Sequence, residues 1–178
     1  KCQIKILYHI IKRKLSNSEV FCMIDINKLL KYPYLIDISK ENNIHLTSII
    51  ILTYNQLKYT KLCIESIRKF TYKNRYELIV VDNNSTDGTV AWLKEQDDIK
   101  LILNNENYGV AKGWNQGIEI SKGENILLLN NDVIATPNWL YNLDSCLWSN
   151  SEIGAVSCLS NHVSNKQRIE VGYSDITS

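Results

Sequence analysis

The sequence has no excess of charge of one sign and no long apolar run. Its 178 residues carry a net charge of +1 at pH 7, with both signs mixed along the chain. That balance excludes a basic stripe for nucleic acid and an acidic tail. No unbroken aliphatic run exceeds the length of Ile49–Leu52, which is far too short to span a bilayer. The chain is still long enough to form one domain with a substantial core.

Paired cysteine motifs are also missing. The five cysteines are scattered without a CxxC pair, and nothing near the start resembles a signal peptide. We therefore expect reduced thiols and a cytoplasmic location. Cys63 and Cys146 fall in helix-like segments and are predicted to pack in the core as small hydrophobes. The chain begins with Lys1 rather than Met, which indicates a piece of a longer protein.

The first part of the chain differs in pattern from the rest. Residues 1–43 are rich in Ile, Lys, Tyr and Asn, and they are predicted to be an N-terminal extension or the tail of a preceding domain. Helix is predicted there around residues 5–15 and 25–31. The main domain is predicted to cover residues 44–178.

From residue 44 onward, apolar runs alternate with amphipathic segments. Predicted strands are 45–55, 76–84, 99–104 and 124–132, with a possible fifth at 153–159. Predicted helices are 59–70, 85–96, 107–123 and 136–148. Strands that alternate with helices indicate an α/β fold, with a mostly parallel sheet covered by helices on both faces.

Several residues suggest where these helices begin and end. Ser, Thr and Asp at residues 85–87 can cap the second helix. Ala111, Trp114 and Ile118 are predicted to share one face of the third helix, which Gly123 is placed to end. The pair at residues 136–137, Thr then Pro, is favoured at the start of the fourth helix.

Polar residues follow the apolar core directly at three of the predicted strand ends. The tails read TYN (53–55), DNN (82–84) and NND (130–132). Ligands of open parallel sheets bind beyond the carboxyl ends of the strands, so all three tails are expected to lie along one ligand-binding edge. Three polar tails on one edge indicate a shared polar ligand.

The sequence lacks the usual phosphate-binding loops. It has no GxxxxGK[ST] segment and no GxGxxG after a strand. Gly109, Gly113 and Gly117 form a GxxxGxxxG run, which we interpret as allowing close helix packing. The tails also lack clustered Arg and Lys, so a divalent cation would be needed to hold a diphosphate. Mg²⁺ typically binds one or two carboxylates plus phosphate oxygens, and Asp132 is the carboxylate of its tail.

The DNNSTDG segment (82–88) does not fit a calcium loop in either register, because the glycine or the final glutamate is misplaced. Ser85, Thr86 and Asp87 are interpreted as a connector with capping residues. Asp82 is different, because a carboxylate at a strand end can accept a hydrogen bond from a ribose hydroxyl or a base N–H.

Four segments in this order and spacing resemble family 2 glycosyltransferases. They are SIIILTYN (48–55), ELIVVDNNSTDGT (77–89), NENYGVAKGWNQGI (105–118) and ILLLNNDVIATPNWL (126–140). The resemblance covers roughly residues 46–160 and implies the nucleotide-sugar-binding half of a Rossmann-like GT-A fold, truncated in this chain.

The resemblance also implies roles for particular residues. Asp132 would bind the Mg²⁺ or Mn²⁺ that bridges the donor diphosphate of a UDP- or dTDP-sugar. The other donor-binding residues would line the base, ribose and sugar sites: Thr53, Tyr54, Asn55, Asp82, Asn83, Gly109, Asn115, Asn130 and Asn131.

The resemblance further implies transfer of the sugar, with inversion, to the hydroxyl of a glycan or lipid-linked acceptor. Surface polysaccharide synthesis is the expected process, with the full protein lying against the inner membrane face. The general base of the family lies well beyond the metal motif, so it is expected after Ser178. The sequence departs from the family in having Asn83, Asn130 and Asn131 where acids are common. A nucleotidyltransferase and a non-catalytic scaffold domain remain as alternatives.

Overall fold

The structure is a computed structural model, and it describes the backbone of residues 6–9 and all of residues 45–158. Within these residues the strands are β1 (Ile6–His9), β2 (Thr47–Thr53), β3 (Tyr76–Asp82), β4 (Ile99–Leu103), β5 (Asn125–Asn130) and β6 (Val156–Ser157). The helices are α1 (Leu57–Phe70), α2 (Thr89–Lys94), α3 (Gly109–Glu119) and α4 (Trp139–Trp148), with a 3₁₀ turn at Lys73–Arg75.

The strands form one parallel sheet in the order β4-β3-β2-β5-β1-β6. From β2 the chain moves outward through β3 to β4, and it then returns to place β5 on the other side of β2. The direction of winding therefore reverses between β2 and β5. In open parallel sheets such a reversal leaves a crevice for a ligand outside the carboxyl ends of the two strands. The predicted parallel sheet is confirmed.

Side chains of the central strands alternate between two buried layers, because successive residues of a strand point to opposite faces. Ile49 and Ile51 belong to a core packed under α1 and α4, whereas Ile50 belongs to a core packed under α3. All three are fully buried. The predicted cover of helices on both faces is therefore confirmed.

Helix α3 lies unusually close to β2. A Cβ built on Gly113 would stand 2.4 Å from Leu52 Cδ1, and one built on Gly117 would stand 2.4 Å from Ile50 Cγ2. A side chain at either position would overlap the strand, which confirms that these two glycines allow close packing. Gly109 differs, because its φ of +76° favours glycine while its surroundings are open.

Three predicted helix boundaries are wrong. Helix α2 begins at Thr89, four residues after its predicted start. Helix α3 ends at Glu119, and Gly123 lies beyond it, packed against the backbone of Leu46 and Ser48. Helix α4 begins at Trp139 after Asn138 in the left-handed conformation, one turn later than the Thr-Pro pair predicted. At Gly123 the glycine packs against the backbone of the sheet instead of ending α3, and at Asn138 a left-handed turn delays the start of α4.

Three other predictions need correction. The helix predicted around residues 5–15 is wrong over Ile6–His9, where the chain pairs as a strand between β5 and β6. The helix predicted at 25–31 lies outside the described residues.

Cys63 is buried as predicted, but Cys146 is exposed on α4. Ala111 is exposed as well, although Trp114 and Ile118 pack against the sheet.

At the amino-terminal edge of the sheet, Glu77 joins three elements. Its carboxylate accepts hydrogen bonds from Ser48 Oγ at 2.5 Å, Lys100 Nζ at 2.5 Å and the Lys122 amide at 2.6 Å. Burial alone would raise the pKa of Glu77, but these hydrogen bonds outweigh burial and lower the pKa below its ordinary value of 4.5. The ionised carboxylate therefore stabilises this edge.

Glu77→Gln is expected to lower the free energy of unfolding at neutral pH by roughly 1–3 kcal/mol, because charge-assisted hydrogen bonds are lost. A lowered folded-state pKa means that the contribution of Glu77 is complete above its unfolded-state pKa. That contribution is lost as pH falls through the folded-state value. The gap between wild type and Glu77→Gln should therefore shrink below pH 4.5. Urea unfolding over a pH series tests this, with Glu119→Gln on the exposed end of α3 as control. A gap that persists at acid pH contradicts the assignment.

Candidate functional site

The predicted polar tails lie side by side at the carboxyl-terminal edge of the sheet. Thr53 pairs in register with Asp82, and Leu52 pairs with Asn130, so Asn131 follows next to Thr53. Neighbouring strands are about 4.8 Å apart, which places the Asp82 and Asn131 positions about 10 Å apart across Thr53. These residues border the space outside the carboxyl ends of β2 and β5, where open sheets of this kind bind ligands and which is hereafter called the crevice.

Asp82 is a fully buried carboxylate with an unused oxygen. Its Oδ1 atom accepts the backbone N–H of Ser85 at 2.8 Å. Its Oδ2 atom is buried and has no hydrogen-bond partner among the residues that the structure describes. Burying an unsatisfied carboxylate oxygen is costly, so such an atom calls for a donor beyond those that residues 45–158 supply. A base N–H or a ribose hydroxyl is a donor of the required kind.

Asn131 links the tail of β5 to the tail of β2 and to α1. Its Nδ2 atom donates to Thr53 Oγ1 at 3.2 Å and to Thr60 Oγ1 at 3.0 Å. The two hydroxyls are 3.0 Å apart, and Thr53 Oγ1 also donates to the carbonyl of Asn55 at 3.2 Å. Both threonines are buried. Polar side chains from three elements thus meet directly behind the edge.

Asp132 follows this group and is exposed at the mouth of the crevice. Neither Asp132 nor the side chain of Asn130 hydrogen-bonds another residue within 45–158. Beneath them, the Cys63 thiol donates to the Asn130 carbonyl at 3.7 Å. Burial raises the pKa of this thiol to about 12, and the nearby charge of Asp132 adds to the rise. Cys63 is therefore a protonated packing group, whereas the Asp132 carboxylate is open to solvent.

Asn83 holds the next loop rather than facing the crevice. Its Nδ2 atom donates to Asn107 Oδ1 at 3.1 Å and to the Gly109 carbonyl at 3.2 Å. Its Oδ1 atom accepts from Asn104 Nδ2 at 2.8 Å. Asn104 and Gln116 in turn exchange two hydrogen bonds at 2.9 Å. The amide of Asn83 thereby fixes the start of α3 next to the tail of β3.

The loops after β2 and β3 are fastened to each other. Ser85 Oγ accepts the Asn55 N–H at 2.6 Å, and Asn55 Oδ1 accepts the Thr86 N–H at 2.8 Å. Asp87 accepts the Leu57 N–H at 2.9 Å and the Thr89 N–H at 3.1 Å, so it caps the starts of α1 and α2. The capping predicted at residues 85–87 is therefore confirmed for Asp87.

These same loops contain strained backbone. Asn55, Gln56 and Asn84 have φ values of 58°, 65° and 69°. Asparagine adopts such values more readily than other residues, so the strain is greatest at Gln56. Strained positions of this kind cluster at functional sites, and Gln56 lies just after the tail of β2.

Two further predicted residues lie at the periphery. Tyr54 is 51% exposed at the end of β2, where its ring is free to cover a ligand. Asn115 is exposed on α3, and its side chain makes no hydrogen bond within residues 45–158. The geometry brings Thr53, Asp82, Asn83, Gly109 and Asn131 together, while Tyr54, Asn115 and Asp132 stand open to solvent.

Sequence reasoning missed the polar residues that support the site from behind. Asn104 is a fourth polar strand tail, and its position at the end of a predicted strand was a usable signal. Thr60 gave none, because its helical segment was interpreted only through its apolar stripe. Asn107 and Gln116 likewise become partners only when β3, β4 and α3 are assembled.

The topology of the sheet defines a fold class. A parallel sheet covered by helices on both faces, with a reversal of winding between two neighbouring strands, is the arrangement of the Rossmann-like doubly wound folds. The sequence profile described as glycosyl transferase family 2 matches residues 48–144. The chain belongs to this family and has its GT-A fold.

Individual relatives agree with this assignment. Glycosyltransferase GlyG of Streptococcus pneumoniae is 33% identical over 102 residues, covering 55% of this chain and 34% of GlyG. Glycosyltransferase AglE of Haloferax volcanii is 33% identical over 98 residues, covering 52% of this chain and 32% of AglE. This chain thus spans about a third of the length of these curated relatives.

A solved structure is similar as well. The crystal structure of residues 1–349 of S. aureus TarS superposes with a TM-score of 0.50 at 28% identity. The match covers 54% of this chain and 30% of the TarS chain.

Among the described residues, none of the helices is both long and apolar enough to cross a membrane.

Proposed function

We propose that this chain forms the donor-binding part of an enzyme that transfers a sugar from a nucleoside diphosphate to an acceptor hydroxyl, with inversion at the anomeric carbon. The donor would be a UDP- or dTDP-sugar, and the acceptor a glycan or a lipid-linked sugar in surface polysaccharide synthesis. Membership of glycosyl transferase family 2 supports glycosyl transfer as the reaction.

The observation that carries the proposal is the unsatisfied Oδ2 atom of Asp82. It is fully buried at the ligand-binding edge and needs a hydrogen-bond donor. The N3–H group of uracil or thymine and the hydroxyls of ribose are such donors. Phosphate oxygens are acceptors and could not serve. The nucleoside, rather than the diphosphate, therefore belongs next to Asp82.

The donor set at Asp132 fits Mg²⁺ or Mn²⁺. Hard cations prefer oxygen ligands, and Mg²⁺ usually takes one or two carboxylates together with phosphate oxygens and waters. Asp132 supplies an exposed carboxylate on the far side of Thr53 from Asp82, a separation that suits a diphosphate attached to the bound nucleoside. When bound, the cation would neutralise the charge that develops on the leaving diphosphate.

The remaining parts of the reaction need residues that the site does not supply. A general base must lie within hydrogen-bond reach of the acceptor hydroxyl, and a surface must orient the acceptor. We assign both to the part of the relatives' length that this chain does not span. The contribution of residues 45–158 is to hold the nucleoside, the diphosphate and the cation.

Asp82→Asn tests the nucleoside assignment. The amide keeps an acceptor for the Ser85 N–H but places a donor where Oδ2 was, so it would oppose the ligand's own donor. The affinity for uridine diphosphate, measured by calorimetry, should fall by about tenfold or more, as expected when a buried charge-assisted hydrogen bond is replaced by a mismatch.

Two analogues identify the group that Asp82 contacts. If it is the base, N3-methyluridine diphosphate should bind wild type and Asp82→Asn equally weakly; if it is ribose, the 2′-deoxy analogue should behave in that way. Asp97→Asn, an exposed aspartate before β4 at the opposite edge, is the control. Wild-type affinity in Asp82→Asn would contradict the proposal.

A further inference from the structure

Asn131 stands next to the aspartate proposed to bind the cation, and its amide nitrogen is already engaged by two threonine hydroxyls. We propose that Asn131 is a positioning residue, which Thr53 and Thr60 hold so that Asp132 points into the crevice. This inference rests on the proposed function, since it assigns a support to the cation site.

The hydrogen atoms of this group can be counted. Thr53 gives its hydroxyl hydrogen to the Asn55 carbonyl at 3.2 Å. In its 3.0 Å contact with Thr60, the Thr60 hydroxyl must therefore be the donor. The two hydrogens of the Asn131 amide then go one to each threonine oxygen. Every hydrogen in the group has one acceptor, so the arrangement is fully specified.

An aspartate at position 131 could not replace this amide. A carboxylate has no hydrogen to donate, so both threonine hydroxyls would have to turn toward it. Thr53 would then lose the Asn55 carbonyl, and Thr60 would lose Thr53. A buried network that is only partly satisfied costs more than its individual bonds suggest. Asparagine at this position is thus explained by its donors, although an acid is common there in the family.

The group is placed to control the direction of Asp132. Thr53 is 1% exposed at the end of β2 and Thr60 is fully buried in α1, so both are fixed by the core. Asn131 connects them to the first residues after β5, directly before Asp132. Partners behind a ligating side chain orient it, and their loss typically costs about 10- to 100-fold in metal affinity.

The test compares Thr60→Val with Thr60→Ser in the full chain. The measured quantity is the enhancement, defined as the ratio of uridine diphosphate affinities with and without Mn²⁺. Valine keeps the shape of threonine but leaves one Asn131 hydrogen without an acceptor, and the enhancement should fall by about tenfold. Serine keeps the hydroxyl and should retain the enhancement. Thr60 is buried and lies behind Asn131, so neither change removes a group that faces the ligand.

The thermal midpoint without metal separates positioning from a merely structural role. A structural role would lower the midpoint of Thr60→Val and leave the enhancement unchanged, and that result would overturn the inference. A wild-type chain whose uridine diphosphate binding does not depend on Mn²⁺ would overturn the cation site itself and, with it, this inference.

A second pair of variants gives an independent result. Asn130→Asp and Asn131→Asp each add one negative charge beside Asp132, but only the second breaks the threonine group. We expect the enhancement in Asn131→Asp to be lower than in Asn130→Asp. An enhancement in Asn131→Asp equal to or above that in Asn130→Asp would mean that breaking the threonine group does not weaken the cation site, and the inference would be wrong.

Discussion

Asp132→Ala is expected to abolish the Mn²⁺-dependent part of nucleoside diphosphate binding. Asp132 is the exposed carboxylate at the mouth of the crevice, and alanine removes the protein oxygens offered to the cation. Losing a partner that supports a ligand typically lowers metal affinity about 10- to 100-fold. Losing the ligand itself should cost more, so we expect the affinity for Mn²⁺ to fall by more than about 100-fold. Asp132→Asn should weaken binding strongly but less completely, because the amide keeps one oxygen.

Calorimetric titration of uridine diphosphate with and without Mn²⁺ measures the effect of Asp132→Ala. Asp97→Ala provides the matched control, since Asp97 is an exposed aspartate at the opposite edge of the sheet. Metal-free binding should be nearly unchanged in both variants, because the nucleoside contacts are assigned to Asp82. If Asp132→Ala retains the full Mn²⁺ dependence, the cation site must be placed elsewhere.

Among replacements of a glycine by alanine, Gly123→Ala is expected to destabilise the fold most. A Cβ at this position would stand 2.4 Å from the Ser48 backbone nitrogen and 2.8 Å from the Leu46 carbonyl oxygen. These are backbone atoms of the segment that enters β2, so they cannot move aside as a flexible side chain would. The clash would also pull the Gly123 N–H away from Ser48 Oγ, which it reaches at 2.8 Å, and thereby disturb Glu77.

We expect Gly123→Ala to lower the free energy of unfolding by about 3 kcal/mol or more, at the upper end of the range for overpacking. Gly154→Ala is the matched control, because a Cβ at Gly154 meets no atom within 4 Å and the residue has no positive φ. Urea unfolding monitored by tryptophan fluorescence compares the two. Equal stability of Gly123→Ala and wild type would contradict this prediction, because it would show that the Leu46–Ser48 backbone can move aside for the added methyl group.

The fold could be predicted from the sequence because its signals are local. Apolar β-branched runs such as Ile49–Ile51 indicate buried strands, and the helical spacing of Cys63, Ile67 and Phe70 indicates an amphipathic helix. The parallel sheet with helices on both faces follows from their alternation, and the structure confirms it. The β1 strand escaped prediction because four residues become a strand only by pairing with β5 and β6.

The candidate site likewise has residues that the sequence predicts and contacts that it does not. That Asp82, Asn131 and Asp132 end buried strands can be seen from the sequence, as can the expectation that they share one edge. Their partners could not be inferred. Asn131 contacts Thr53 across 78 residues of chain and Thr60 across 71, and Asn83 contacts Asn104 across 21. Such contacts depend on which strands become neighbours.

The sequence by itself therefore determined strands β2 to β5, the four helices apart from their ends, the polar strand tails and the family resemblance, because each of these is encoded in a short stretch of chain. Only the tertiary structure decided that no described residue satisfies one oxygen of Asp82, that the Asn131 amide nitrogen donates to two buried threonines and that Gly123 touches the backbone at the start of β2. The physical reason is that hydrogen-bond satisfaction and close packing are properties of groups brought together from distant positions. No local pattern records which groups will meet.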